Sequence, residues 1–257
     1  MLKDSDKRLV LLASIFILAF TYRIILMMRA TYPSGADIGL HNSVIYSIIG
    51  SGNVDFFNNF YQMGGGLSLT FPGYHIFVSQ IMLMSGMPEF LVHAIVVSLV
   101  SSVIVLISYL ITRKVWKESA ALVVAFLVAI SRFDIEMLLW GGYPNVITLM
   151  LIPLTFYLFI QKDRFSLLPF YVSTAVLTAS IFLTHTLSTI VFVSITLTMI
   201  ILIVAFGKKI GATRRSALSW FLPLVFGAIL VMPFIVDAVP AYLANDSVWD
   251  IDQATLS

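Results

Sequence analysis

The segment TYPSGADIGLH, residues 31–41, holds one acid, Asp37, and one histidine, His41, four residues apart. On a helix that spacing places both on one face. A carboxylate beside an imidazole can take a proton from a hydroxyl or offer donors to a hard cation. A second acidic segment, SRFDIEMLLWGGYPN at 131–145, carries Asp134 and Glu136 just after Arg132. Two residues apart, these acids need not share a helical face, but a turn or break would bring both to one divalent cation such as Mg or Mn. Plainer readings stand beside these. Asp37 precedes IGLHNSVIYSII, closed by Gly50, and as an N-cap it stabilises a short helix by about 1 kcal/mol. His41 is otherwise a polar surface residue. Asp134 and Glu136 are otherwise a solvated loop, with WGGYPN a turn in an interfacial aromatic belt that includes Tyr143.

Two further segments supply polar groups. LTHTLS, residues 184–189, isolates His185 between apolar runs. His185, Arg132, Arg29 and Arg23 are nearly all the cations on their side of the chain, so an anionic lipid headgroup there must use some of them or a backbone nest. YQMGGGLSLTFPGYH, residues 61–75, has three consecutive glycines, which allow close backbone approach to a ligand. It has no Walker lysine and no strand-turn-helix context, which argues against a nucleotide loop. Tyr61, Tyr74 and His75 line a sugar or acceptor site or, more simply, sit at a membrane interface.

The elements that must position these groups are apolar. Hydrophobic residues make up 60% of the chain and charged ones 11%, under half the roughly 25% that a soluble surface needs. The surrounding solvent is therefore largely lipid. A net charge of +2 without a basic run gives no nucleic-acid footprint. The absence of cysteine excludes disulfides, thiolate nucleophiles and Cys-type zinc sites.

Seven apolar runs, 9–28, 90–112, 119–133, 143–160, 165–183, 188–206 and 219–236, read as membrane helices. The first is followed by LMMRATYP, a poor cleavage site, so it reads as a retained helix. Pro223 and Pro233 are expected to distort the seventh. With the N-terminus in the cytoplasm, every inner connection carries Lys or Arg, and only Arg23, Arg29 and Arg132 fall outside. Residues 71–88 are apolar enough to cross, but crossing would invert every later loop. They read instead as an outer helix lying on or dipping into the membrane, with Pro72 in its first turn. The first outer loop, 29–89, is then unusually long and is the place to expect function. The expected fold is an all-α integral membrane protein. It has about seven transmembrane helices over residues 1–240, short amphipathic helices in the outer loop, and an outer polar tail at 241–257 leading to a missing or separate C-terminal part.

An N-in first helix, an early D-x-x-x-H in a long outer loop, a Gly-rich segment running into FPGYH, and an acid-x-acid pair in the next outer loop together resemble the transmembrane module of GT-C-type glycosyltransferases. That group includes protein mannosyltransferases, oligosaccharyltransferase catalytic subunits and prokaryotic relatives with similar WGGYPN and LTHTLS segments. The resemblance implies sugar transfer from a polyprenyl-phosphate-type carrier to an acceptor outside the cytoplasm, in the plasma membrane. Asp37 matches the first-loop acid, general base or metal ligand. Asp134 and Glu136, with His41 nearby, match the set that helps hold a divalent cation in metal-dependent members. Arg132, His185 and Arg29 are the candidates for the lipid phosphate, and Tyr61, Tyr74, His75 and Tyr143 for the substrate lining. The chain departs from many relatives in having Ala36 and Ile38, not a second acid, beside Asp37. Two rivals remain: a non-catalytic subunit of the same fold that binds membrane lipid or a second protein subunit, and a transporter. The transporter reading expects ionisable groups near the bilayer midplane, and none is expected in the middles of these spans.

Overall fold

The computed structural model describes residues 4–30, 35, 37–53, 71–207, 209 and 214–245. Every regular element among them is helical: α1 (Asp4–Met27), α2 (Ile38–Ser51), α3 (Gly73–Ser85), α4 (Glu89–Val115), α5 (Glu118–Ala129), α6 (Arg132–Leu139), α7 (Tyr143–Ile160), α8 (Leu167–Thr184), α9 (Thr186–Phe206) and α10 (Arg214–Asn245), with a 3-10 turn at Lys162–Arg164. Six of them, within α1, α4, α7, α8, α9 and α10, are long and apolar enough to cross a membrane. The protein is thus an all-α multi-pass membrane protein. Pro223 and Pro233 lie inside α10, which remains one helix, and the expected tail begins as its last residues. Tyr61 and the three glycines fall outside the described residues.

The expected span at 119–133 takes another form. α5 has 12 residues, too few to cross alone. It stops at Ile130, Ser131 caps a new start by accepting from the Phe133 N–H, and α6 continues for eight residues. Together residues 118–139 cover roughly 33 Å at about 1.5 Å per residue. The pair begins beside α1, where Arg8 and Glu118 meet at 2.7 Å. It ends where Gly141 meets α2. Ala121, Ala125 and Ala129 are buried with Ile15, Ala19, Val105 and Tyr109. These small residues let α5 approach α1 and α4 closely, as membrane helix packing requires.

Arg23 holds the break together. Its Nη1 donates to the Ala19 and Ala129 carbonyls at 3.2 and 2.9 Å. Its Nη2 donates to Val128 O at 3.3 Å and Asp134 Oδ2 at 2.6 Å. Its Nε reaches Asp134 Oδ2 at 3.0 Å and the Ser101 hydroxyl. Carbonyls freed at the end of α5 therefore find donors without water. A cation sits at the C-terminus of α5 and an anion in the first turn of α6, each favoured by the helix dipole it faces. Ser101 lies near the midpoint of α4, so this pair is inside the bundle. Asp134 had been expected at the outer interface and Arg23 near a helix end. Arg23 does lie close to the end of α1, and the finding beyond the expectation is that both side chains are buried against α4 and α5 and not solvated.

α2 and α3 cover the end of the bundle opposite Arg8 and Glu118, which we term the loop end. They pack on each other, and α3 also packs on α4, α7 and α8. α3 has 13 residues and is not among the six long apolar helices. On α2, Ile45 is fully buried in the protein core, with Ile38 and Ile49 packed against that core. The helix runs one residue past Gly50 and closes on Gly52, at φ +70°.

Candidate functional site

Two segments a hundred residues apart in sequence meet at the loop end. The backbone of Gly35 lies against that of Gly141, and a Cβ at Gly35 would sit 2.6 Å from the Gly141 nitrogen. A Cβ at Gly141, where φ is +88°, would lie 3.3 Å from the Asp37 nitrogen. Only glycine permits this contact. The start of α2 is thereby pinned to the WGG turn, and His41 completes the link with a bond from Nε2 to the Gly141 carbonyl at 2.9 Å.

Asp37 occupies the N-cap position of α2, but its side chain makes no capping bond. Its carbonyl accepts from the His41 N–H at 2.9 Å, as the first bond of the helix. The carboxylate is half-buried and has no side-chain partner among the described residues. The capping reading is therefore not how Asp37 is used.

Behind it lies a buried cluster of His41, His75, His93, Tyr74 and Tyr143. The His41 ring is 5.4 Å from that of Tyr74 and 5.5 Å from that of Tyr143. The Gly141 carbonyl can only accept, so a neutral His41 carries its proton on Nε2 and accepts at Nδ1. His75 Nε2, 3.0 Å away, is then the donor to it. His75 Nδ1 is buried and makes no close hydrogen bond among the described residues, although the Phe71 backbone pulls the His75 pKa upward against burial. A second chain runs from the Tyr74 hydroxyl to His93 Nδ1, and from His93 Nε2 to Asn42 Oδ1 at 2.9 Å. Burial lowers the His41 pKa, against the opposing pull of the Gly141 carbonyl and then Asp37. Burial, then the neighbouring His41, brings His75 down to about 3. Burial, then Tyr143, raises Tyr74 well above the ordinary phenol range. The cluster is thus a neutral, hydrogen-bonded core beside the Asp37 carboxyl group.

Below Tyr74 a half-open, mostly apolar cleft of about 530 Å³ runs between α3, α4, α7 and α8. Its walls include Gly73, Phe77, Val100, Met150 and Leu183, with Gln80, Ser180 and Thr184 as polar points.

The expected metal ligands do not come together. α6 is helical through residues 132–139, which sets Asp134 and Glu136 roughly 200° apart. Asp134 is 8% exposed and bound to Arg23 and Ser101 through Oδ2, with Oδ1 buried and unpartnered. Glu136 is 51% exposed and pairs with Arg132 one turn away at 2.7 Å. Both nitrogens of His41 are already bonded. Among the described residues no group of three or more His, Asp or Glu side chains has metal-holding geometry, so the Mg or Mn site expected at Asp134, Glu136 and His41 does not fit.

Of the expected phosphate ligands, Arg132 and Arg29 are exposed. His185 joins α8 to α9, where its Nδ1 accepts from the Ser188 backbone N–H at 3.3 Å and lies 2.9 Å from the Ser188 hydroxyl. Burial lowers its pKa. Tyr74, His75 and Tyr143 do join Asp37 and His41. Sequence reasoning missed His93 and Asn42, and weighed Arg23 only as a cation for a headgroup, not as the partner of Asp134. His93 and Arg23 carried a signal, since a polar residue inside an apolar run seeks a protein partner.

No curated protein matches the chain. The family model described as a family of unknown function, DUF6541, matches residues 7–250. The chain with this histidine cluster, paired glycine turns and break between α5 and α6 belongs to DUF6541.

Proposed function

We propose that this chain is a glycosyltransferase that moves a sugar from a polyprenyl-phosphate-type carrier to an acceptor, with Asp37 as general base. In this reading the N-terminus is cytoplasmic and α5 with α6 makes a broken crossing, for seven passes in the plasma membrane. The loop end then faces away from the cytoplasm. The observation that carries the reading is the position of Asp37. It is a half-buried carboxylate without a side-chain partner among the described residues, fixed by glycine contacts above a neutral cluster. The apolar cleft reaches that cluster at Tyr74 and has the character an isoprenoid tail requires.

The chemistry follows from those positions. The acceptor hydroxyl or amide gives its proton to Asp37 as its oxygen or nitrogen bonds the sugar carbon. The bond from that carbon to the carrier phosphate breaks, and the phosphate leaves with its lipid. The cluster keeps water from the reacting atoms. No step is assigned to a metal. Replacing Asp37 with Asn should abolish transfer while leaving insertion and melting behaviour intact, and unchanged transfer would remove Asp37 from this role.

One observation favours a second reading, a non-catalytic subunit of the same fold holding lipid or a partner enzyme. The second-loop acids are engaged with Arg23 and Arg132. Turnover by the isolated chain excludes this reading, and co-purification with a second subunit without such turnover supports it. Transport is disfavoured although charge lies inside the bundle, because the donors of Arg23 are all taken up by protein groups.

A further inference from the structure

At the end of the bundle opposite Asp37, a half-open cleft of about 480 Å³ lies between the start of α8 and the start of α10. Lys162 points into it and donates to the Ser219 hydroxyl at 3.2 Å. Ser219 is buried and donates its own hydrogen bond to the Ser216 carbonyl at 2.7 Å. Lys162 has no carboxylate within salt-bridge distance among the described residues. A half-buried ammonium held by one neutral hydroxyl keeps two N–H donors for a ligand. Ser166 does not cap α8 with its side chain, so the first-turn N–H groups of Leu167 and Leu168 add donors of the same sign. Phe165, Phe170 and Tyr171 supply an apolar and aromatic wall, and the neighbouring Leu168 is strongly exposed, as a lipid-facing residue would be.

We propose that this cleft binds the phosphate of a phospholipid headgroup, with Lys162 as its principal ligand. Basic pockets between membrane helices at the basic face take lipid head groups in this way. The ligand chemistry is a phosphate, and free phosphate is the alternative source. Asp163 also lines the cleft. Its charge opposes a dianion such as inorganic phosphate more than a singly charged phosphodiester, which favours the lipid. The aromatic wall gives an acyl chain a place to lie, which free phosphate does not need. This site is independent of the reaction proposed at Asp37.

The test uses the full chain released from vesicles of phosphatidylcholine containing a minority of phosphatidylglycerol. Native mass spectrometry counts the phosphatidylglycerol retained. Wild type should keep one such lipid. Lys162→Gln should weaken retention about tenfold, the loss of one charge-assisted hydrogen bond, and Lys162→Arg should restore it. Equal retention by Lys162→Gln overturns the proposal. Displacement of the lipid by inorganic phosphate at comparable concentration overturns the lipid as the source. If Lys162→Gln does not fold, a photoreactive phosphatidylglycerol decides: labelling at 162–171 and 216–219 supports the site, and labelling confined elsewhere overturns it.

Discussion

Arg23 and Asp134 are 111 residues apart in sequence and meet at 2.6 Å in the gap between two half-helices. The pair repairs the gap: Arg23 reaches the terminal carbonyls of α5, and Asp134 anchors α6 to Ser101 on α4. Removing one partner leaves the other charged and buried, which costs about 3–5 kcal/mol. Arg23→Met should therefore lower the melting temperature in detergent sharply. The double variant Arg23→Met, Asp134→Leu should recover part of the loss. A single variant as stable as wild type would show that the break is held by other contacts.

The contact of Gly35 with Gly141 has a sharper local consequence. Gly141→Ala forces a left-handed backbone on a side chain and presses it onto Asp37, a strain of about 1–3 kcal/mol. Gly35→Ala places a methyl group inside backbone atoms. Either variant should lift the start of α2 from the WGG turn and lose sugar transfer at least tenfold. The rest of the bundle should melt as before. Full activity in both variants would detach the catalytic proposal from this contact.

The histidines make the loop end sensitive to acid. The pKa of His75 falls from 6.5 to about 3 in the folded chain. Between those values the unfolded chain binds a proton that the native ring does not. Stability is therefore complete above 6.5 and declines as the pH falls toward 3, by up to about 1.4 kcal/mol per pH unit for this group. His41 is shifted in the same direction and steepens the slope. Melting temperatures measured as the pH is lowered below 6.5 should fall, and the slope should be shallower in His75→Gln. A melting temperature independent of pH over that interval would contradict a buried neutral cluster.

Local rules reached some of this arrangement and not the rest. Asp37 sits at a helix start, and the helix that follows is present. The loops at 31–41 and 131–145 each looked chemical, but nothing local in either says that they touch, because the contact is made by two backbones and needs only the absence of side chains. The burial of Asp134 was not legible because the run 119–133 reads as one short span followed by a loop. Ser131 was the signal against that, since a serine before an aromatic-acid stretch can cap a fresh helix, and the fresh helix turns Asp134 onto Arg23. His93 was overlooked inside EFLVHAIVV because periodicity in an all-apolar helix does not say which face meets protein.

The engagement of the second-loop acids separates a metal-assisted mechanism from a base-only one. Glu136 pairs with Arg132 at the surface, where such i,i+4 pairs contribute about 0.3–0.5 kcal/mol. Glu136→Gln and Arg132→Gln should thus leave both stability and transfer close to wild type. Asp37→Asn should lose about 10²–10⁴ in rate, the range of a positioned base. Chelation with EDTA should leave the transfer rate unchanged, because Asp134 already holds an arginine where a cation would have to bind. Transfer that stops on chelation and returns with Mg or Mn would require Asp134 to exchange Arg23 for the metal, and the junction of α5 with α6 would then have to rearrange during turnover.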